Sequence, residues 1–148
     1  DGRICQRGPQ RMLGYLGEAP QDAGQWLTTG DLGRIDAAGR LTVIGRADDI
    51  LVSGGQNVHP ADIEAQLTHC PGVDDAAVTG RRDPIWGDVL TALVVGSAAV
   101  DSVADWCRTS LPSSLRPRRI IRVASLPRNA MGKLERRRVA ELLLEASR

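Results

Sequence analysis

The chain writes its positive charge almost entirely as arginine. Among 19 basic residues, Lys133 in the stretch RNAMGKLERRR is the single lysine. An ammonium ion is a compact, mobile point charge that can touch two oxygens as negative charge develops on them, whereas a guanidinium is a wider planar fork. The plain alternative is a solvated lysine after a glycine turn at Gly132, and the scarcity of lysine in this chain weighs toward chemistry. Other nucleophiles and metal ligands are sparse. Cys5, Cys70 and Cys107 are far apart and form no CxxC pair, so neither a zinc cluster nor a disulfide framework is expected. Cys70 and Cys107 fall on apolar helix faces or ends, where cysteine behaves as a small buried hydrophobe. His59 and His69 stand without a carboxylate or thiol at ligand spacing and read as loop or helix-end residues.

The elements that must position Lys133 follow from pattern. From Gly2 to Arg46 the chain alternates short apolar pieces with glycine, and WLTTGDLGRID, AAG and LTVIGR read as a β-hairpin. After Arg46 the pattern changes to alternating strands and helices. Pro60, Asp62 and Glu64 mark a helix start, and Ile63, Leu67 and Cys70 share its apolar face. DAAVTGR and VLTALVVG read as paired strands, the second apolar enough for the middle of a sheet. Asp101 or Ser102 is expected to cap a helix with Val103, Trp106, Cys107 and Leu111 on one face. RIIRVASLP reads as a strand. LERRRVAELLLEA reads as a terminal helix with Val139, Leu142, Leu143 and Ala146 on one stripe and Arg136, Arg137 and Glu141 facing solvent.

The expected fold class is therefore α+β: a β-rich segment over residues 1–46, the end of a larger domain, followed by a small α+β domain over 47–148. The two adjacent acids of GRADDIL suit an exposed connection. Composition narrows function further. At 148 residues and 42% hydrophobic content the chain can bury a core. No apolar run approaches the roughly 20 residues that span a bilayer, and DGRICQRGPQ lacks a basic segment followed by an apolar one. Neither a signal peptide nor an anchor is expected, and the cytoplasm is the expected compartment. A net charge of +1 and 3% aromatics argue against nucleic acid as a partner.

Three stretches in order, TTGDLGRID, GRADDILVSGGQNVHPADIE and LPRNAMGKLERR, closely resemble motifs of the adenylate-forming superfamily of acyl-CoA synthetases, aryl-CoA ligases, peptide-synthetase adenylation domains and luciferases. The opening GRICQRGPQRMLGYL is also similar to the family's preceding segment, and GRADDILVSGGQNVHPADIE with DPIWGD is nearest in look to aryl-CoA, o-succinylbenzoate-CoA and medium-chain acyl-CoA ligases. The resemblance implies a two-step reaction. A carboxylate attacks ATP to give an acyl-adenylate and pyrophosphate, and a thiol, commonly coenzyme A, then displaces AMP. Members rotate a small C-terminal domain between the steps, and the chain resembles that domain with the last part of the large one. The upstream phosphate loop and carboxylate pocket are absent, so the fragment alone is not expected to catalyse the reaction.

Residue by residue, the resemblance implies that Lys133 is the catalytic lysine of adenylation. Asp31 matches the aspartate that accepts from the adenylate ribose hydroxyls, for which a carboxylate offers two acceptors; a turn-forming Asp is the alternative. Arg46 matches an arginine near ribose or phosphate, or else ends a hairpin. Asp48 matches the hinge. Gly54 and Gly55 match a loop lining the pantetheine path, where missing side chains let a narrow ligand come close; an ordinary turn accounts for them equally. Trp86 and Arg116 match residues near the CoA nucleotide, against the alternatives of a buried tryptophan and a solvated arginine run with Arg118, Arg119 and Arg122. ATP, with Mg2+ carried on its phosphates, and coenzyme A are the implied cofactors. The implied partners are the acid substrate and the upstream domain of the same parent chain. Two other readings are an enzyme that loads a carrier-protein phosphopantetheine and a non-catalytic interaction module.

Overall fold

In the computed structural model, which describes residues 2–22, 24–84 and 87–145, internal contacts divide the chain into two units, Asp1–Asp48 and Asp49–Arg148. The first is a three-stranded antiparallel sheet of β1 (Gly2–Gln6), β2 (Leu27–Ile35) and β3 (Leu41–Arg46), in that spatial order. Asp36 organises the expected β2–β3 hairpin, since its Oδ1 accepts from the backbone N–H of both Ala38 and Arg40 at 2.9 Å. The bond from the Arg40 backbone, followed by that from its side chain, holds the Asp36 carboxyl below its ordinary range. The long β1–β2 connection is pinned by the buried Arg11, whose Nη1 donates to the carbonyls of Asp22 at 2.6 Å and Gln25 at 2.9 Å.

The second unit is a mixed sheet with helices on both faces. Strands β4 (Leu51–Ser53) and β5 (Gln56–Val58) form a small hairpin, and helix α1 (Pro60–Leu67) follows. Strands β6 (Val73–Asp83) and β7 (Gly87–Gly96) pair antiparallel, then α2 (Val100–Ser110), β8 (Arg119–Arg122) and α3 (Arg136–Glu145) complete the unit. The sheet order is β5-β4-β7-β6, with β8 joining β7 in parallel. The apolar run in β7 is explained by burial on both sides: Leu90, Ala92 and Val94 join Ile63, Leu67, Val103 and Cys107 in one core, while Leu93 meets Ala77, Leu126 and Val139 in the other. Period-two alternation thus assigns α1 and α2 to one face of the sheet and α3 to the opposite one. Ile63, Leu67 and Leu93 are fully buried, and each such side chain contributes about 1.5–3 kcal/mol of burial energy.

Three local expectations are corrected. Helix α2 starts at Val100 with Ala99 at its N-cap and no side-chain cap bond. Asp101 therefore lies in the first turn, where its charge faces the positive end of the helix dipole. Helix α3 begins at Arg136 rather than Leu134, because Leu134 is held in an antiparallel bridge with Arg128. Arg136 does not face solvent: the carboxylates of Glu64 and Asp49 hold it inward. Ala146, expected on the α3 stripe, lies outside the described residues, as does Trp86.

Candidate nucleotide and thiol sites

The first unit brings together Asp31, Arg46 and Asp48. Asp31 on β2 and Arg46 at the end of β3 are direct partners across the ladder, and their side chains approach to 3.6 Å between Oδ1 and Nη1. The Arg46 guanidinium also donates to Asp48, from Nε to Oδ1 at 3.0 Å and from Nη2 to Oδ2 at 3.2 Å, and to the Thr29 carbonyl at 3.3 Å. A cleft of about 300 Å³ opens beside them, lined by Arg3, Gly30, Arg46, Ala47 and Asp48. A Cβ at Gly30 would come within 3.0 Å of Arg46 Nη2. Glycine at this position leaves the guanidinium its place. Asp31 thus lies beside the cleft, next to the Arg46 guanidinium on its rim, and a carboxylate and a guanidinium side by side suit the hydroxyl and phosphate groups of a nucleotide.

In the second unit, Lys133 is exposed on a turn whose backbone is tightly specified. Asn129 Oδ1 accepts from the N–H of Met131 at 3.0 Å and of Lys133 at 2.9 Å. The Asn129 N–H donates to the Lys133 carbonyl and the Gly132 N–H to the Asn129 carbonyl, each at 2.9 Å. Gly132 has φ of +77°, the left-handed conformation this reversal needs. The turn is tied to the sheet by Arg128, which donates to the Gly132 carbonyl at 2.8 Å and grips both oxygens of Asp75 on β6 at 2.8 Å. The loop that carries Lys133 is therefore built, and its glycine serves geometry rather than looseness.

Gly54 and Gly55 form the two-residue link between β4 and β5, with Ser53 opposite Gln56. Both have positive φ, +56° and +77°, the requirement of a tight hairpin turn. A Cβ at either position would meet nothing within 4 Å, so the turn presents bare backbone to open space. Gly54 and Arg116 share a cleft of about 130 Å³ with Ser53, Asp88, Ser113 and Arg118. Arg116 is aimed by its Nε bond to the Leu111 carbonyl at 2.7 Å. Gly55 does not line this cleft.

Three arginine contacts that positioning depends on were not visible in sequence. Arg128 reaches Asp75 across 53 positions, and Arg136 reaches Glu64 across 72. Asp49, read in sequence as solvated charge, is half-buried and lies 3.6 Å from Arg136 Nε. Nothing in local spacing marks these partners, because each pair is joined only by the sheet and helix packing. The signal present was compositional: arginines that outnumber any plausible solvated face.

Residues 62–133 match the family described as AMP-binding enzyme C-terminal domain. The 2-succinylbenzoate–CoA ligase of Bacillus velezensis is 41% identical over 149 residues, covering 95% of this chain and 30% of that protein. An uncharacterized acyl–CoA ligase of Bacillus subtilis is 36% identical over 145 residues, covering 98% and 30%. The solved o-succinylbenzoate CoA synthetase of Bacillus subtilis, in complex with the acyl-adenylate intermediate OSB-AMP, superposes with a TM-score of 0.81 at 36% identity, covering 93% of this chain and 30% of that one. The chain thus spans about 30% of the length of the curated relatives it matches. With the motif order and the α+β fold, the chain is similar over nearly its whole length to acyl–CoA and 2-succinylbenzoate–CoA ligases, and residues 62–133 match the AMP-binding enzyme C-terminal domain.

Proposed function

We propose that this chain is the C-terminal portion of an ATP-dependent carboxylic acid:CoA ligase that forms an acyl-adenylate and then an acyl-CoA thioester. The observation that carries the reading is a single lysine, presented on a hydrogen-bonded turn, in a chain about 40% identical to CoA ligases over nearly its whole length. In the first half-reaction the Lys133 ammonium meets the carboxylate oxygen that attacks and the α-phosphate oxygen that gains charge, easing their mutual repulsion. Asp31 accepts from the ribose hydroxyls, and Arg46, fixed by Thr29 and Asp48, places positive charge on the nucleotide side of the same cleft. ATP enters as a substrate with Mg2+ on its phosphates. Asp48 is the hinge between two arrangements of the units.

In the second half-reaction the Gly54–Gly55 turn gives the pantetheine arm bare backbone to pass, and Arg116 holds phosphate charge of coenzyme A at the edge of the same cleft. The names of the relatives favour coenzyme A over a carrier protein as acceptor. The test is made on the full-length protein that carries this chain. Acid-dependent pyrophosphate exchange is compared for wild type and Lys133→Ala, beside thioester formation from a preformed acyl-adenylate. Exchange is expected to fall by about 100-fold or more while the thioester step changes by less than about threefold. Unchanged exchange overturns the assignment of Lys133, and no acid-dependent exchange in wild type overturns the function.

A further inference from the structure

Two adjacent aspartates straddle the boundary between the units, and each is held by a different arginine. Asp48, the last residue of the first unit, takes the guanidinium of Arg46 through both of its oxygens. Asp49, the first residue of the second, lies 3.6 Å from Arg136 Nε. Arg136 is the first residue of α3 and lies three positions after Lys133. Its other edge is engaged by Glu64 of α1, with Nη2 at 2.9 Å from Oε2 and Nη1 in a close contact with Oε1. Glu64 is itself fixed, because its Oε1 accepts the Val78 backbone N–H of β6 at 2.7 Å. One guanidinium therefore joins the start of the second unit, α1, β6 and the base of the lysine turn. Burial works against its charge, but the hydrogen bonds and charge of Glu64, with Asp49 adding to them, raise its pKa above the ordinary value.

We propose that Arg136 is a positioning residue that clamps Asp49 to the α1–α3 end of the second unit, confining rotation to the Asp48–Asp49 linkage and carrying the Lys133 turn with it in fixed register. This deepens the hinge reading and rests on it. Without the clamp, the Asp49–Ile50 segment ahead of β4 would pivot separately from α3, and part of a rotation begun at the linkage would dissipate there before reaching the sheet and Lys133. The planar fork is required, since an ammonium at this position could hold one carboxylate well but not both at opposite edges.

The test uses the full-length protein carrying Arg136→Ala, Arg136→Lys or Asp49→Asn, read by amide hydrogen exchange over Ile50–Ser53 and by both half-reactions. Arg136→Ala is expected to speed exchange of these amides about tenfold or more. It should also slow acid-dependent pyrophosphate exchange about tenfold with the KM for ATP within about twofold, because Arg136 positions Lys133 without touching nucleotide, while the thioester step changes by less than about threefold. Arg136→Lys should recover part of the rate. Asp49→Asn, which leaves the Glu64 contact in place, should loosen the same amides with little change in melting temperature, and it decides the matter if Arg136→Ala fails to fold. Unchanged exchange over Ile50–Ser53 in Asp49→Asn overturns the clamp, as does full activity in folded Arg136→Ala. If the wild type lacks acid-dependent turnover, the functional reading fails while the amide exchange still tests the clamp.

Discussion

The chemistry proposed for Lys133 would fall to a flexible side chain whose origin is set by a neighbour four residues back. Asn129 Oδ1 accepts two backbone N–H groups of the turn, and losing a bond of this kind costs about 1 kcal/mol. Asn129→Ala is therefore expected to lower stability by about 1–2 kcal/mol. It should also reduce acid-dependent pyrophosphate exchange about tenfold, because Lys133 then samples orientations away from the reacting oxygens. Asn129→Asp, which keeps the acceptor, should restore most of the exchange; equal losses in both variants would show that the amide bonds of the turn do not orient the lysine. Lys133 entered the proposal through rarity of type, and Asp31 and Arg46 through motif. The residues that support the turn were not legible in the sequence: Arg128 and Arg136 are written in the same letter as the solvated arginines, and only packing separates them.

Strands and helices were more legible than their supports, since periodicity depends on burial alone. The β6–β7 pair and the start of α1 stand where alternation and Pro60 put them, whereas α1 stops at Leu67, short of Cys70, and the starts of α2 and α3 shifted, because caps and a bridge, rather than apolar pattern, decide ends. The β4–β5 turn gives an element-scale prediction. Asparagine tolerates the left-handed conformation of Gly54 yet adds a side chain to the open backbone. Gly54→Asn is expected to leave the melting temperature and pyrophosphate exchange near wild type while cutting thioester formation about tenfold. Thioester formation at the wild-type rate would mean that the glycine serves only the turn. Just beyond the end of α1, the buried thiol of Cys70 joins that of Cys107 on α2 in the same core. Burial raises both above the ordinary thiol value of 9.0, and for Cys107 the nearby Cys70 adds to the rise while Arg116 opposes it. A raised thiol pKa favours the neutral folded form, so this stabilisation is complete below the unfolded value and is lost as pH climbs through the folded ones. Urea unfolding followed from pH 8 upward should show a decline above about pH 9 that is shallower in Cys70→Ala with Cys107→Ala. Parallel slopes would remove the thiols from the account.

On the scale of the whole molecule, the apolar burial is distributed very unequally. Among the described residues, Leu32 is the buried hydrophobic of the first unit, while every other buried hydrophobic from Val58 to Leu143 belongs to the second. The first unit instead exposes Trp26, Ile35, Leu41 and Val43. Burial on the order of 25 cal/mol per Å² must offset roughly 1–2 kcal/mol of backbone entropy per ordered residue, and a sheet with one covered side chain falls far short of that balance. The second unit has two cores on opposite faces of one sheet, built, among the described residues, from positions after Asp49. A protein consisting of residues 49–148 is therefore expected to unfold cooperatively, with a melting temperature within about 5 °C of the same transition in the whole chain. Residues 1–48 alone are expected to give the circular dichroism of an unordered chain. The composition of the sequence changes character after Arg46, and the contacts divide two residues later, between the aspartates. A non-cooperative melt for 49–148 would mean that its cores depend on the preceding sheet, and rotation of the second unit as a rigid body would then have no physical basis.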